Sequence, residues 1–396
     1  MQLPDPARLI ADLSAADARL VLVATGGGAL AISHLVTTPG SSGVVLGAEI
    51  PYARAAVDRL LGGPQEAYCS SRTARRLAVA AWQRALDLER SGTDSGGARR
   101  QVVGVAVTAA LRTTRPKRGG HRICVAVQTL DATETAEIEL EKDARSRAEE
   151  EVVAAAAVFD AVGRSVLRPP HPDTAVEAWL RPGERVARDR MVAPPEWRDL
   201  LAGTRRAIPA GLATGSPPAG GLVFPGSFDP LHEGHRRMAR IAEEIVERPL
   251  DWELSVRNVD KPALDYQEIR DRSAQFADQR LWLTPTATFL EKLDVFPRST
   301  FVVGADTFVR LGDPRYYGGS SVRADEAVKT IAERAGGLIV FGRVRDGVFS
   351  DAAQLDAPQP LRDISYFVSQ REFRLDVSST DLRRRRLDER GQPCDT

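Results

Sequence analysis

Apolar positions along this chain come in two rhythms. Short unbroken runs, such as residues 20–24, 102–108 and 221–224, are interrupted by glycine, proline or polar clusters. Between them lie stretches in which apolar residues return every three or four positions. The runs predict buried strands and the stretches predict helices. Residues 7–16 predict a helix, 20–24 a strand, 29 to about 35 a helix, 43–50 a Val-rich strand and 53–61 a helix. Residues 73–88 follow as a long helix, 102–108 and 122–130 as strands, and 144–162 as an Ala-rich helix. In 133–139 the apolar residues are sparse and alternate with polar ones, which predicts a pairing strand. Such alternation of strands and helices argues an α/β domain over residues 1–166.

Proline then punctuates residues 167–219, at Pro169, Pro170, Pro172, Pro194, Pro195, Pro217 and Pro218. Proline stiffens a segment and removes ladder donors, so the expectation here is a connector without a continuous sheet. It should carry one short helix around Trp197, and the mixed charges of residues 181–190 should form a solvated face. Past a boundary near Gly220 the strand–turn–helix rhythm resumes. Strands are predicted at 221–224, 252–256, 281–283, 300–303 and 337–341, and helices at 236–245, 267–276, 287–293 and from 307. This predicts a second α/β domain over residues 220–396, a Rossmann-like parallel sheet with ligands at the carboxyl ends of its strands.

Composition narrows the classes. A chain of 396 residues has room for about two domains, and 43% hydrophobic with 27% charged residues fits globular folding. Lys plus Arg equals Asp plus Glu at 54 each, which removes the basic excess expected of a nucleic-acid or anionic-membrane partner. No apolar run approaches the roughly 18 residues of a membrane span, and the first residues lack a secretory pattern. Cys69, Cys124 and Cys394 are scattered and odd in number, giving neither a zinc pattern nor a disulfide framework. A soluble cytoplasmic protein is expected.

The densest chemistry lies in Gly221-Leu-Val-Phe-Pro-Gly-Ser-Phe-Asp-Pro-Leu-His-Glu-Gly-His235. An apolar strand runs into a Gly226-Ser227-Phe228 turn and then into a helix start, where free N–H groups and the helix dipole favour an anion. His232 and His235, two of only five histidines, add imidazole donors beside Gly234. Further on, Ser378-Ser379-Thr380 before a helical run reads as an N-cap and second phosphate grip, with Arg383 about one turn in. Gly304-Ala305-Asp306 follows a strand, and Lys261 stands in a loop after another.

These three ordered motifs resemble those of the HIGH-motif nucleotidyltransferases, in particular nicotinamide or nicotinate mononucleotide adenylyltransferase. The resemblance covers about residues 220–390. It implies in-line attack of a substrate phosphate on the α-phosphorus of ATP, with pyrophosphate leaving and no protein nucleophile. It further implies that His232 and His235 hold the triphosphate and its developing charge. Arg383, Ser378, Ser379 and Thr380 would grip the β- and γ-phosphates, Lys261 would contact a phosphate, and Asp306 would meet a ribose or base edge. Gly226, Ser227, Phe228, Gly234 and Gly304 complete the implied nucleotide site. Mg2+ is expected to ride on the phosphates without protein ligands. Alternatives remain open: CTP as donor, another acceptor such as phosphopantetheine or a sugar or alcohol phosphate, or a nucleotide sensor without turnover.

In the first domain, Thr25-Gly26-Gly27, Pro39-Gly40-Ser41-Ser42, Tyr52 and Leu60-Leu61-Gly62 occur in the order that resembles the C-terminal domain of CinA, the nicotinamide-nucleotide amidase family. Thr108 falls at that family's Val-Thr-Gly strand end. The departures are Val23 where the family has serine, Val57 where a lysine is expected, and Ala109 for the glycine. Valine supplies neither a nucleophile nor a charge. Thr25 remains the one candidate nucleophile, without a base nearby in sequence. These departures imply a non-catalytic domain used for structure, homo-oligomerisation or ligand sensing.

Overall fold

The computed structural model describes residues 5–92, 100–114, 118–167, 175–345, 348–350 and 354–373. Among them the chain forms two units. The first runs to Pro194 and takes in the segment Asp260–Gln267, and the second comprises Pro195–Val259 and the chain from Glu268 onward.

The first unit is built on six strands, β1 (Ala18–Thr25), β2 (Val45–Glu49), β3 (Gln101–Ala110), β4 (His121–Gln128), β5 (Ala132–Leu140) and β6 (Val186–Val192), in the order β2-β1-β3-β4-β5-β6. The β2-β1-β3 half is parallel and the rest antiparallel. One face packs on the helix Arg147–Val166, whose alanines and valines are almost all buried among Leu20, Leu22, Val103, Val105 and Val125. That helix starts in a capping box of Ser146 and Glu149, each side chain bonding the other's backbone N–H. The helix Ser71–Gly92 covers the opposite face, so close that a Cβ on Gly104 would meet the Ala78 carbonyl at 2.1 Å. The segment Asp260–Gln267 is anchored in this unit by Tyr266, whose hydroxyl donates to the Leu130 carbonyl at 2.6 Å. Asp265 pairs there with Arg75 at 3.0 Å.

The expected connector does not exist as such. Residues 186–192 are a full edge strand, and the division falls after Pro194, not near Gly220. The physical reason is that ion pairs replace an apolar stripe. Arg188 reaches the buried Asp160 at 2.7 Å and Arg190 reaches Glu134 at 2.8 Å, so no hydrophobic period marks the strand. The short helix Pro195–Ala202 is present as anticipated.

The second unit contains β7 (Ile208–Gly211), β8 (Leu222–Gly226), β9 (Leu250–Ser255), β10 (Arg280–Thr284), β11 (Thr300–Gly304) and β12 (Gly337–Phe341). A small hairpin of β13 (Arg343–Arg345) and β14 (Val348–Ser350) follows, then β15 (Ser365–Val368). The sheet order is β15-β12-β11-β8-β9-β10-β7, parallel except for β7, an antiparallel edge the sequence did not announce. From β8 the chain steps outward to β9 and β10, then returns to place β11, β12 and β15 on the other side. The reversal between β8 and β11 is the switch point at which open α/β sheets bind ligands, at the strands' carboxyl ends. Both sheets with their helices are the α/β architecture expected. Among the described residues no helix is long and apolar enough to cross a membrane.

Candidate functional site

β8 delivers the chain to the switch point at Gly226. A Cβ there would lie 2.6 Å from the Phe228 ring, so the turn requires glycine. Phe228 has a left-handed φ of 43° and folds its ring inward. The ring is buried, edge-on to Phe224, Trp252, Phe276 and His235, with the His235 centroid at 5.2 Å. The Phe228 ring therefore belongs to the floor beneath the histidine. Ser227 is exposed at the tip of the turn.

Two residues that the motif did not reveal hold this loop. Arg272, on the helix Tyr266–Ser273, donates to the Ser227 carbonyl at 2.9 Å and pairs with Asp229 at 3.5 Å and Glu268 at 3.3 Å. Gln275 accepts from the Leu231 N–H at 2.8 Å and donates to the Phe228 carbonyl at 3.1 Å. Their only sequence signal is position on a helix that follows β9, and a single sequence does not distinguish a loop staple from a solvated polar face.

The helix Glu233–Val246 begins at His232, its N-cap, with Gly234 buried in the first turn. Its first N–H groups lack intrahelical acceptors, as at any helix start. His235 Nδ1 accepts the backbone N–H of His232 at 3.3 Å. An accepting Nδ1 leaves the ring proton on Nε2, which makes His235 a neutral donor. Burial, reinforced by the adjacent His232, pushes its pKa down to about 3. The His232 ring stacks on it with centroids 3.7 Å apart and is also lowered by burial. His232 Nδ1 is shielded from solvent and meets no protein partner among the described residues. A shielded polar atom without a partner, next to a neutral imidazole donor at a helix start, is an arrangement completed by a polar ligand.

β11 ends beside β8. The ladder between them comprises Thr300–Leu222 and Phe301–Val223, at the starts of the strands, so Gly226 and Gly304 lie at the same carboxyl edge. Gly304 is the N-cap of the helix Ala305–Arg310, with Asp306 exposed in its first turn. One strand further on, Lys292 is buried and donates to both Glu253 oxygens at 3.0 and 2.9 Å and to Ser255 Oγ at 2.5 Å. This ties the helix Phe289–Val295 to the end of β9. Lys261 belongs to the segment grouped with the first unit, where its Cγ approaches Gly62. Ser378, Ser379, Thr380 and Arg383 lie outside the described residues.

The first unit repeats the same construction. β1 ends at Thr25, and Gly26, Gly27 and Gly28 lead into the helix Ala29–Thr37. Here the chain's own groups meet part of the helix start, beside a cavity lined by Gly26, Gly27, Ile50, Tyr52, Arg147 and Glu151. Glu151 Oε1 accepts the Leu30 N–H at 3.1 Å, and Arg147 bridges Glu151 at 2.7 Å to the Gly26 carbonyl at 3.1 Å. Thr25 Oγ1 is buried and donates to the Pro51 carbonyl at 2.8 Å. Val23 and Val57 are both core residues.

With this geometry in hand, the similarities to known proteins are specific in one half of the chain and coarse in the other. Residues 223–385 match the cytidylyltransferase-like family, so this part of the chain carries a cytidylyltransferase-like domain, and the match supports a nucleotidyltransferase. The N-terminal region is similar to CinA-superfamily structures. One from Escherichia coli shares 18% identity, covering 42% of this chain and 92% of its own, with a TM-score of 0.30. The competence/damage inducible protein from Agrobacterium tumefaciens shares 20%, covering 38% and 87%, also at 0.30. No curated protein matches the chain.

Proposed function

We propose that the second unit transfers AMP from ATP to the phosphate of nicotinamide or nicotinate mononucleotide, giving NAD or its deamido form and pyrophosphate. The observation that carries this reading is the imidazole pair at the switch point. The two rings cap one helix start, with His235 neutral, its proton on Nε2, and His232 Nδ1 shielded and without a protein partner.

Adenylyl transfer needs no protein nucleophile, so the chain's task is to position the phosphates and meet charge as it develops. His235 Nε2–H would donate to an α-phosphate oxygen as negative charge shifts toward the departing pyrophosphate. A donor kept neutral by partial burial has less hydration to shed at that moment. The N–H groups at the start of the helix Glu233–Val246 add their share of positive potential. Arg272 and Gln275 keep the loop in register. Asp306, across the switch point, would face the nucleoside. Ser378, Ser379, Thr380 and Arg383 would hold the β- and γ-phosphates. Lys261 has no step in this proposal. Mg2+ would ride on phosphate oxygens and water, where it would neutralise phosphate charge. The first unit is proposed as a non-catalytic partner domain, since its own carboxylate caps the helix start that would receive an anion.

A second reading takes CTP as donor and a sugar or alcohol phosphate as acceptor, and the family description favours it. One experiment separates the two. Pyrophosphate release and product mass are followed with ATP or CTP and Mg2+ against both mononucleotides, phosphopantetheine and glycerol 3-phosphate. NAD or deamido-NAD from ATP is the expected product. A CDP-linked product establishes the second reading, and absence of product from every pair overturns both.

A further inference from the structure

We propose that Cys69 and Cys124 of the first unit form a reversible thiol–disulfide pair, oxidised by hydroperoxides. The two residues come from different elements. Cys69 stands just before the helix Ser71–Gly92, and Cys124 lies in β4 directly opposite Thr108 of β3. Cys69 Sγ sits 3.7 Å from the carbonyl oxygens of both Thr108 and Arg122, which places it on the β3–β4 ladder at Cys124. Both thiols are free, and each is the main influence on the other's ionisation. Polar groups surround them. Ser71 Oγ donates to Glu137 at 2.8 Å, and the Arg122 guanidinium lies 3.3 Å from the same carboxylate.

The pair is asymmetric in the way that thiol oxidation needs. Cys69 is partly exposed and Cys124 is fully buried. The hydrogen bond from Cys124, and then the Arg122 charge, draw the Cys69 thiol below its ordinary range, while Cys124 is raised by the same bond and by burial. Cys69 is thus the accessible sulfur of lowered pKa, and Cys124 is the buried partner beside it, the division of labour of a reactive and a resolving thiol.

The chemistry balances. The Cys69 sulfur takes the terminal oxygen of a hydroperoxide and the O–O bond breaks. The departing oxygen leaves as alcohol, or as water from hydrogen peroxide, with the thiol proton. The Cys124 sulfur then attacks the resulting sulfenic sulfur, an S–S bond forms, and the hydroxyl leaves as water with the second thiol proton. The two sulfurs together lose two electrons to the peroxide.

The test treats the folded full-length protein with hydrogen peroxide, alkylates the remaining thiols and maps the peptides by mass. The expected result is a peptide joining Cys69 to Cys124, two hydrogens lighter than the separate thiols and restored by dithiothreitol. In the Cys124→Ser variant, Cys69 should stop at the sulfenic acid and be trapped by dimedone. Recovery of Cys69 and Cys124 as separately alkylated peptides from the treated wild type overturns the proposal. So does linkage of Cys69 to Cys394. Because the deciding measurement is on the wild type, it does not depend on the variants folding.

Discussion

The chain builds the same device twice, a parallel strand running through a glycine-bearing turn into a helix, and the two copies differ in what occupies the helix start. At β8 the turn ends in two stacked imidazoles, one with a shielded nitrogen that meets no protein partner. At β1 the corresponding helix start is capped by the chain's own Glu151, and the hydroxyl that might have reacted is committed to the Pro51 carbonyl. Backbone geometry therefore does not separate a binding site from a structural turn. The difference lies in which side chains complete the backbone donors, an external ligand being needed only where the protein has not supplied its own acceptor.

The largest expected effect comes from removing the imidazole that defines the first device. His235→Ala should lower kcat by about 10²–10³-fold, the loss typical of one preorganised donor to developing charge. The aromatic floor of Phe224, Phe228 and Trp252 keeps its contacts with one another and with Phe276, so circular dichroism and melting should show the fold retained. Unchanged turnover would erase the functional side of the contrast.

A smaller effect is expected one layer back. Arg272→Met removes the guanidinium that holds the Ser227 carbonyl and Asp229 while preserving the length of the side chain. A loop displaced by even about 1 Å costs up to roughly a hundredfold when catalysis rests on positioning. Steady-state kinetics should show kcat reduced more than tenfold with nucleotide affinity largely kept. A change confined to KM would make Arg272 a binding group instead.

Titration sharpens the same point without mutation. His235 has a folded pKa of about 3 against an ordinary 6.5, so the unfolded chain binds the extra proton in between. Stability contributed by keeping this ring neutral is present above about pH 6.5 and is lost progressively as pH falls toward 3. Denaturant melts across that window should show the loss in the wild type and a shallower one in His235→Ala. Identical slopes would mean that the ring is solvated in the folded protein.

Legibility followed the same divide between local and distant causes. The strands at 20–24, 221–224 and 300–303 were readable because buried parallel strands are unbroken apolar runs. The histidine turn was readable because its residues are contiguous. β6 was not, because it is an exposed edge strand whose Arg188 and Arg190 pair with Asp160 and Glu134, which leaves no hydrophobic period. Arg272 and Gln275 were missed because their partners are backbone carbonyls and an N–H more than 40 positions away. Phe228 was legible as part of the motif, but the inward direction of its ring was not, because a motif does not record which way each residue points. Lys261 was placed by its distance after a strand, while the fold assigns its segment to the other unit. Val23 and Val57, where the resemblance led one to expect a serine and a lysine, are core in the structure.

The smallest effect probes the first device. Thr25→Ala removes a buried hydroxyl whose hydrogen bond to Pro51 spans 26 positions, so the cost should be about 1 kcal/mol of stability. Nucleotidyl transfer should not change. The wild type should release no ammonia from nicotinamide mononucleotide, because the Thr25 proton is held by a carbonyl and Glu151 already meets the adjacent helix start. Ammonia release that disappears in Thr25→Ala would break the contrast from its other side. The Pro51 bond would then be an orienting contact for a working nucleophile, and the Glu151 carboxylate a removable plug. A silent wild type with a slightly lowered melting point leaves the two turns as the same backbone solution, one completed from within and one left for a substrate.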